Sequence, residues 1–273
     1  MEQDGDTRVG NGEYGAFEGA AADHVVLPRY EADRVWSPEL LGLLQRLLAD
    51  GGTLLDVGGH IGLISIPVAL CTPARCNAFE PAPTNAACFR RNATRHSVDQ
   101  RVTLHEVALG GERGEVAFAL SGDNGGDHHV LADGTQPASG FRAIHVPCER
   151  LDDLIDASTL AKPIVLKLDV QGSEAKVLAG ATRVLPHVAA VVLEYWPAGL
   201  LRAGDHAEQL EALLQDFDWG AVLKQGSDTF ELKTRAELFH ALSHFMALDG
   251  SDDGFFDLLL ISGRDRDFVV SGS

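Results

Sequence analysis

The sequence has no cysteine pair at metal-knuckle or redox spacing. Its four cysteines, Cys71, Cys76, Cys88 and Cys148, form no CxxC and have no histidine pair at zinc-finger spacing, which excludes a metal knot or dithiol centre and leaves buried or free thiols. Basic charge is scarce: 22 Lys and Arg stand against 40 Asp and Glu, a formal charge of −18. A field of that sign repels phosphate backbones and anionic membranes. The densest basic run, Arg90, Arg91 and Arg95, has the four-residue spacing of a solvated helix face. No stretch approaches the ~18 uninterrupted apolar residues of a membrane span, and the N-terminus lacks a basic start and an apolar h-region. The expectation is a cytoplasmic protein that engages neither membrane nor nucleic acid. Internal repeats and low-complexity tracts are also absent, and a homo-oligomer stays open.

What is present is ordinary globular material, 45% hydrophobic and 23% charged, enough to bury a sizeable sheet in one domain of 273 residues. Residues 1–34, rich in Gly, Asp and Glu, read as an extension, partly mobile or folded over the active site as a cover; residues 35–273 read as the domain proper. A helix is expected from Ser37 as N-cap with Pro38 behind it, carrying an apolar face of Leu40, Leu41, Leu43, Leu44, Leu47 and Leu48. Strand-length runs at 53–57, 76–80, 102–108, 164–170 and 189–195 then alternate with helical stretches at 61–70, 84–96, 173–185 and 207–217. That alternation implies a parallel sheet wound by helices. Strands at 115–120 and 142–146 flank a polar insertion. Segments 221–224 and 255–261 are expected to pair antiparallel around a helix at 234–247.

Chemistry begins in TLLDVGGHIG, where a buried strand runs past Asp56 into Gly58, Gly59 and Gly62 before a helix. Glycines let a backbone turn tightly against a ligand, and a helix start offers unpaired N–H groups. Glu80 ends the next strand, about 20 residues on, where a carboxylate can accept both ribose hydroxyls of an adenosine ligand. The spacing is shared with dinucleotide enzymes, but GxGxxG is not met, which disfavours a nicotinamide-dependent oxidoreductase.

Five blocks in this order, LLDVGGHIG (54–62), AFEPAPTN (78–85), VALGGERGEV (107–116), ERLDDLIDASTLAKPIVLKLDVQGSEAKVLAGA (149–181) and VVLEYWP (191–197), resemble the FkbM family of S-adenosylmethionine-dependent methyltransferases. The resemblance implies a Rossmann-like class I methyltransferase fold: α/β, with a seven-stranded, mostly parallel sheet, an antiparallel C-terminal strand and helices on both faces. It implies O-methylation of a small hydroxylated metabolite, sugar-bearing or polyketide-like. By position, Asp56, Gly58, Gly59, His60 and Gly62 would wrap the methionine portion, Glu80 would hold the ribose, and Val107 and Ala108 would border the adenine. Family sequences often carry Ala and Asn where this chain has Gly59 and His60.

Methyl transfer to oxygen needs alignment and a proton acceptor. Asp169, ending IVLKLDV, is placed for that role, and His128 and His129 in the polar insertion are the other candidates. Asp169 and Glu194 on neighbouring strands offer a competing account in which Mg²⁺ lowers the pKa of the acceptor hydroxyl. Lys167 with Asp169 and Glu174 reads as an ion pair beneath the site, and Trp36, Trp196 and Trp219 as packing residues. A catalytically silent protein that only binds the cofactor, as a regulatory or assembly partner, is the alternative of another class.

Overall fold

The computed structural model describes residues 6–227, 229–249 and 254–267; the first five residues of the expected extension lie outside them. The chain opens as an antiparallel hairpin, β1 (Thr7–Gly12) and β2 (Gly15–Ala20), followed by α1 (Val26–Asp33) and α2 (Pro38–Leu47). Residues 7–33, part of the segment read from the sequence as a partly mobile extension or an active-site cover, form regular structure packed on the core through Phe17, Val26, Leu27 and Tyr30, with Val26 and Arg29 also lining the cavity described below. Glycine is what permits the contact: a Cβ at Gly12 would stand 2.2 Å from the Tyr30 ring, and one at Gly19 would stand 2.9 Å from Leu27. Asn92 fastens the hairpin, accepting from the Glu18 N–H (2.7 Å) and donating to the carbonyls of Glu18 and Ile61 (2.9 Å each). Arg91 and Arg95 reach the Glu18 carboxylate at 2.9 and 3.3 Å, so these two bind β2 rather than forming a purely solvated face. Ser37 makes no capping bond; α2 begins on Pro38, which has no N–H to satisfy.

Alternation follows: β3 (Thr53–Val57), α3 (Ser65–Cys71), β4 (Arg75–Phe79), α4 (Pro83–Arg95) and β5 (Val102–His105). The expected helix at 61–70 starts only at Ser65, because a turn with Gly62 at φ 93° intervenes. The run expected as one strand over 102–108 breaks after His105. Its remainder, β6 (Ala108–Leu109), joins β7 (Gly114–Ser121), β8 (His129–Val130) and β9 (Phe141–Glu149) in a separate sheet of order β6-β9-β7-β8. The chain returns through α5 (Leu151–Leu154), β10 (Ile164–Leu168), α6 (Glu174–Ala179), β11 (Ala190–Tyr195), α7 (Pro197–Arg202) and α8 (Ala207–Leu213). It closes with β12 (Trp219–Leu223), β13 (Lys233–Thr234), α9 (Arg235–Asp249) and β14 (Phe256–Ile261). The expected helix at 173–185 ends at Ala179, since Gly180 runs so close to Gly110 that a Cβ would stand 2.0 Å from its carbonyl oxygen.

Among the described residues the main sheet has eight strands in the order β13-β12-β14-β11-β10-β3-β4-β5, one more than expected. The addition is the two-residue edge strand β13, and β14 runs antiparallel to both its neighbours. Strand alternation divides the core into two layers. Leu54, Ala78, Val165, Val192 and Leu259 pack with α1 to α4 on one face. Leu55, Phe79, Leu166, Leu193 and Leu258 pack with α5 to α9 on the other. On the first face the same alternation carries the chemistry-bearing residues at the carboxyl edge: Asp56, Glu80, Lys167, Asp169, Glu194 and Asp257. The chain's order reverses between β3 and β10, where open α/β sheets form their ligand crevice. No helix among the described residues is long and apolar enough to cross a membrane.

Candidate functional site

The bend after β3 is built by contacts to β4. The N–H groups of Gly58 and Gly59 both donate to the Phe79 carbonyl at 3.0 Å. Gly58 sits at φ 82°, and a Cβ there would stand 1.9 Å from the Asp169 carbonyl oxygen. No side chain fits at 58 without parting β3 from β10. The bend then sets Glu80: its Oε2 accepts from the His60 N–H (2.9 Å) and its Oε1 from the Ala82 N–H (2.8 Å). Glu80 is 5% exposed, and burial pushes its carboxyl up to about 7 despite these donors.

A cavity of about 730 Å³ opens over this edge. Gly58, Gly59, His60 and Glu80 line its centre, and Val107, Ala108, Leu109 and Phe118 form an apolar wall. Val25, Val26 and Arg29 of the α1 segment, with Trp36, line another side. Asp169, Glu194, Asp257 and Trp196 line the end beneath β10, β11 and β14.

Three expected site residues lie off the cavity: Asp56, Gly62 and His129. Asp56 is fully buried one step below the bend, in parallel register with Lys167. It accepts from Ser65 Oγ (2.6 Å) and pairs with Lys167 Nζ at 3.2 Å. Lys167 in turn donates to the Gly58 carbonyl (2.9 Å) and itself lines the cavity, so the pair braces the bend from beneath while Asp56 stays off the ligand space. Gly62 is not among the lining residues either; its turn is packed against Ile66 and Phe89. The expected partner Glu174 is not in this ion pair: its Oε1 accepts from the N–H groups of Val170 (3.1 Å) and Gly172 (3.3 Å).

The two histidines separate by strand alternation. His129 is buried away from the cavity, its ring against Phe141 and its Nδ1 donating to the Asp127 carbonyl at 2.9 Å. His128 lines the cavity, but its Nδ1 accepts from the Ser121 N–H at 3.0 Å. A backbone amide is always the donor, so neutral His128 carries its proton on Nε2. Burial also lowers His128 to about 4. In this arrangement it offers a hydrogen-bond donor, not a free base.

Asp169 keeps an exposed carboxylate at the cavity, with side-chain exposure of 41% and Lys167 Nζ 3.7 Å from Oδ2. Gln171, in the left-handed region at φ 56°, donates Nε2 to both Asp169 Oδ1 and Glu194 Oε2 at 3.1 Å. The pair proposed from the sequence as a Mg²⁺ site is therefore bridged by a side-chain amide. Among the described residues no group of three or more His, Cys, Asp or Glu is arranged to hold a metal. Gln171 had no signal in the sequence beyond its place in LDVQGSE. Trp36 and Trp196, expected as packing residues, both line the cavity; Trp196 is stacked under Arg202 at 4.7 Å. Trp219 lies under Arg266 at 4.2 Å, away from the cavity.

Residues 56–218 match the methyltransferase FkbM domain, a span that contains the glycine bend, Glu80, Asp169 and Glu194. The chain is 29% identical over 157 residues to a hexuronic acid methyltransferase of Haloferax volcanii, covering 57% of this chain and 61% of that protein. It is 31% identical over 164 residues to a 31-O-demethyl-FK506 methyltransferase of Streptomyces tacrolimicus (49% and 60%). To a 2-O-methyltransferase of Sinorhizobium fredii it is 27% identical over 185 residues (63% and 75%). The matches to the first two span about 60% of those proteins' lengths. With its model matched over more than half of the sequence, and the bend and carboxylate inside the match, the chain belongs to the FkbM methyltransferase domain family.

Proposed function

We propose that the protein is an S-adenosylmethionine-dependent O-methyltransferase acting on a hydroxyl of a small metabolite. The observation that carries this reading is Glu80, a buried carboxylate held by two backbone N–H groups at the lip of a cavity, beside a bend that no side chain obstructs. Its remaining lone pairs suit a vicinal diol, and the Val107, Ala108 and Phe118 wall suits a flat adenine, so the residues present fit an adenosyl ligand. The relatives named above are a hexuronic acid methyltransferase and two oxygen-directed methyltransferases, which supports oxygen as the acceptor atom.

The cofactor supplies, when bound, a methyl group on a sulfonium, reactive enough that alignment is the main requirement. The chain's own residues do the rest. Glu80 and the bend fix the adenosyl end, and α1 with Trp36 forms a wall over the crevice. Asp169 takes the proton that leaves the acceptor hydroxyl as its oxygen gains the methyl group. Lys167, 3.7 Å away, holds that carboxylate at the cavity. Asp169→Asn is expected to lower kcat by about 100-fold or more, the ordinary contribution of a positioned base. His129→Ala should leave the pH profile of turnover in place, and a profile that moves with His129 but not with Asp169 would reverse the assignment.

Cofactor affinity should depend on pH through Glu80. Its carboxyl, raised to about 7 by burial, must be ionised to accept two hydroxyls, so affinity rises as pH climbs through 7 and levels above it. The sign follows from the raised value: proton occupancy at pH 6 competes with the ligand, and at pH 8 it does not. Calorimetric titration with S-adenosylhomocysteine should give binding about tenfold weaker at pH 6 than at pH 8. His60 and His128, both lowered to about 4 by burial, stay neutral across that window. Equal affinity at the two pH values would contradict the role given to Glu80. Tight binding without turnover of any hydroxylated acceptor would favour the silent binding protein, and binding of NAD alone the oxidoreductase.

A further inference from the structure

The end of the cavity farthest from Glu80 is acidic beyond what the cofactor explains. Glu194 on β11 and Asp257 on β14 are direct partners in antiparallel register, and both line the cavity. Two ionised carboxylates directly opposite each other in a sheet repel, a repulsion that protonation or a cationic occupant relieves. Asp169 lines the same end one strand away. The nearby cations offset this end only in part. Lys167 is shared between Asp56 at 3.2 Å and Asp169 at 3.7 Å, Arg29 pairs with Asp33 at 3.2 Å, and Arg202 stacks on Trp196 and faces Asp127 at 3.8 Å. Among the described residues no Lys or Arg forms an ion pair with Glu194 or Asp257.

A second, independent feature lies on the same cavity. Ser173 is 1% exposed and lines the cavity, yet its Oγ has no hydrogen-bond partner in the protein. A buried hydroxyl left unpaired costs free energy unless a ligand completes it. The adenosyl end cannot be that ligand for the acidic pair. In the order β3-β10-β11-β14, strands stand about 4.8 Å apart, which puts β14 about 14 Å from the bend.

We propose that the methyl acceptor is an amino alcohol, its protonated amine seated against Glu194 and Asp257 and its hydroxyl presented to Asp169. This rests on the methyltransferase reading above and adds the acceptor's charge. Burial, with Asp169, Glu174 and Asp257 nearby, pushes the Glu194 carboxyl up, and burial with Asp169 raises Asp257 to about 6. An ammonium group would relieve both. A uronic acid would meet repulsion, which separates this chain's cavity from a site for hexuronic acids.

The test is calorimetry on protein saturated with S-adenosylhomocysteine. The probes are glucosamine, galactosamine and a 2-deoxystreptamine aminoglycoside, each beside its N-acetylated form, with glucuronate as the anionic arm. At least one amine is expected to bind about tenfold or more tightly than its acetylated form, with glucuronate undetected. That preference should vanish in Glu194→Gln and Asp257→Asn, near-isosteric changes that remove buried repulsion and should raise the melting temperature. Acetylated and free amines binding alike, no amine binding to cofactor-product-loaded protein, or a preference that survives both substitutions would each overturn the proposal. S-adenosylhomocysteine is titrated first, and failure at that step sinks the cofactor reading itself.

Discussion

Glu80→Gln is expected to weaken S-adenosylhomocysteine binding at pH 8 on the order of a thousandfold, the loss of two hydrogen bonds to a charged acceptor. The substitution is nearly isosteric, but the site makes it severe. Both carboxylate oxygens already accept backbone N–H groups, from His60 and Ala82. A carboxamide can satisfy only one of them, because its NH₂ turns a donor toward a donor. The Gln side chain must then rotate, and the ribose loses its paired acceptors. Calorimetry measures the affinity, and thermal unfolding of the same sample separates a lost contact from a lost fold. Affinity within a few fold of the unsubstituted protein would remove Glu80 from the site.

Lys167→Met should cost about 3–5 kcal/mol of stability, because it strands a fully buried carboxylate. Asp56 would keep only Ser65 Oγ as a donor at 2.6 Å. A loss of that size corresponds to a fall in Tm of about 10 °C for a chain of this length. Adding Asp56→Leu to Lys167→Met should recover much of the stability, since a buried ion pair is often replaceable by apolar groups. The double variant should still bind S-adenosylhomocysteine weakly, because the Gly58 carbonyl has lost its 2.9 Å donor from Lys167. Recovery of stability and affinity together would show that the pair does not brace the bend. A single variant as stable as the parent would show that Asp56 is not stranded.

The sheet was legible because its central strands are apolar but for one charged residue each near the carboxyl end, and residues buried on both faces leave that mark. TLLDV, IVLKL and AVVLEY could be little else, and Glu80 followed from its place at a strand end. What failed to show was set by tertiary contact. β1 and β2 read as a loose Gly-rich segment because their glycines serve the close passage of α1, a reason absent from TRVGNG and GAFEGA taken alone. The pattern placed Asp56 near a strand end and His129 in a polar insertion, but not their depth or facing: Asp56 lies on the cavity face one step too deep, and alternation turns His129 away from the cavity. The tautomer of His128 hangs on one amide seven residues away. Gln171 was hidden for the same reason: its partners, Asp169 and Glu194, meet only when β10 and β11 lie side by side.

The most direct measurement is the titration of S-adenosylhomocysteine, with NAD as the control, into the purified protein at pH 8. One site per chain for the first ligand and none for the second is the expected result. No detectable heat or saturable binding with S-adenosylhomocysteine would contradict the account at its root, since the bend after β3 and the carboxylate after β4 would then grip nothing adenosyl.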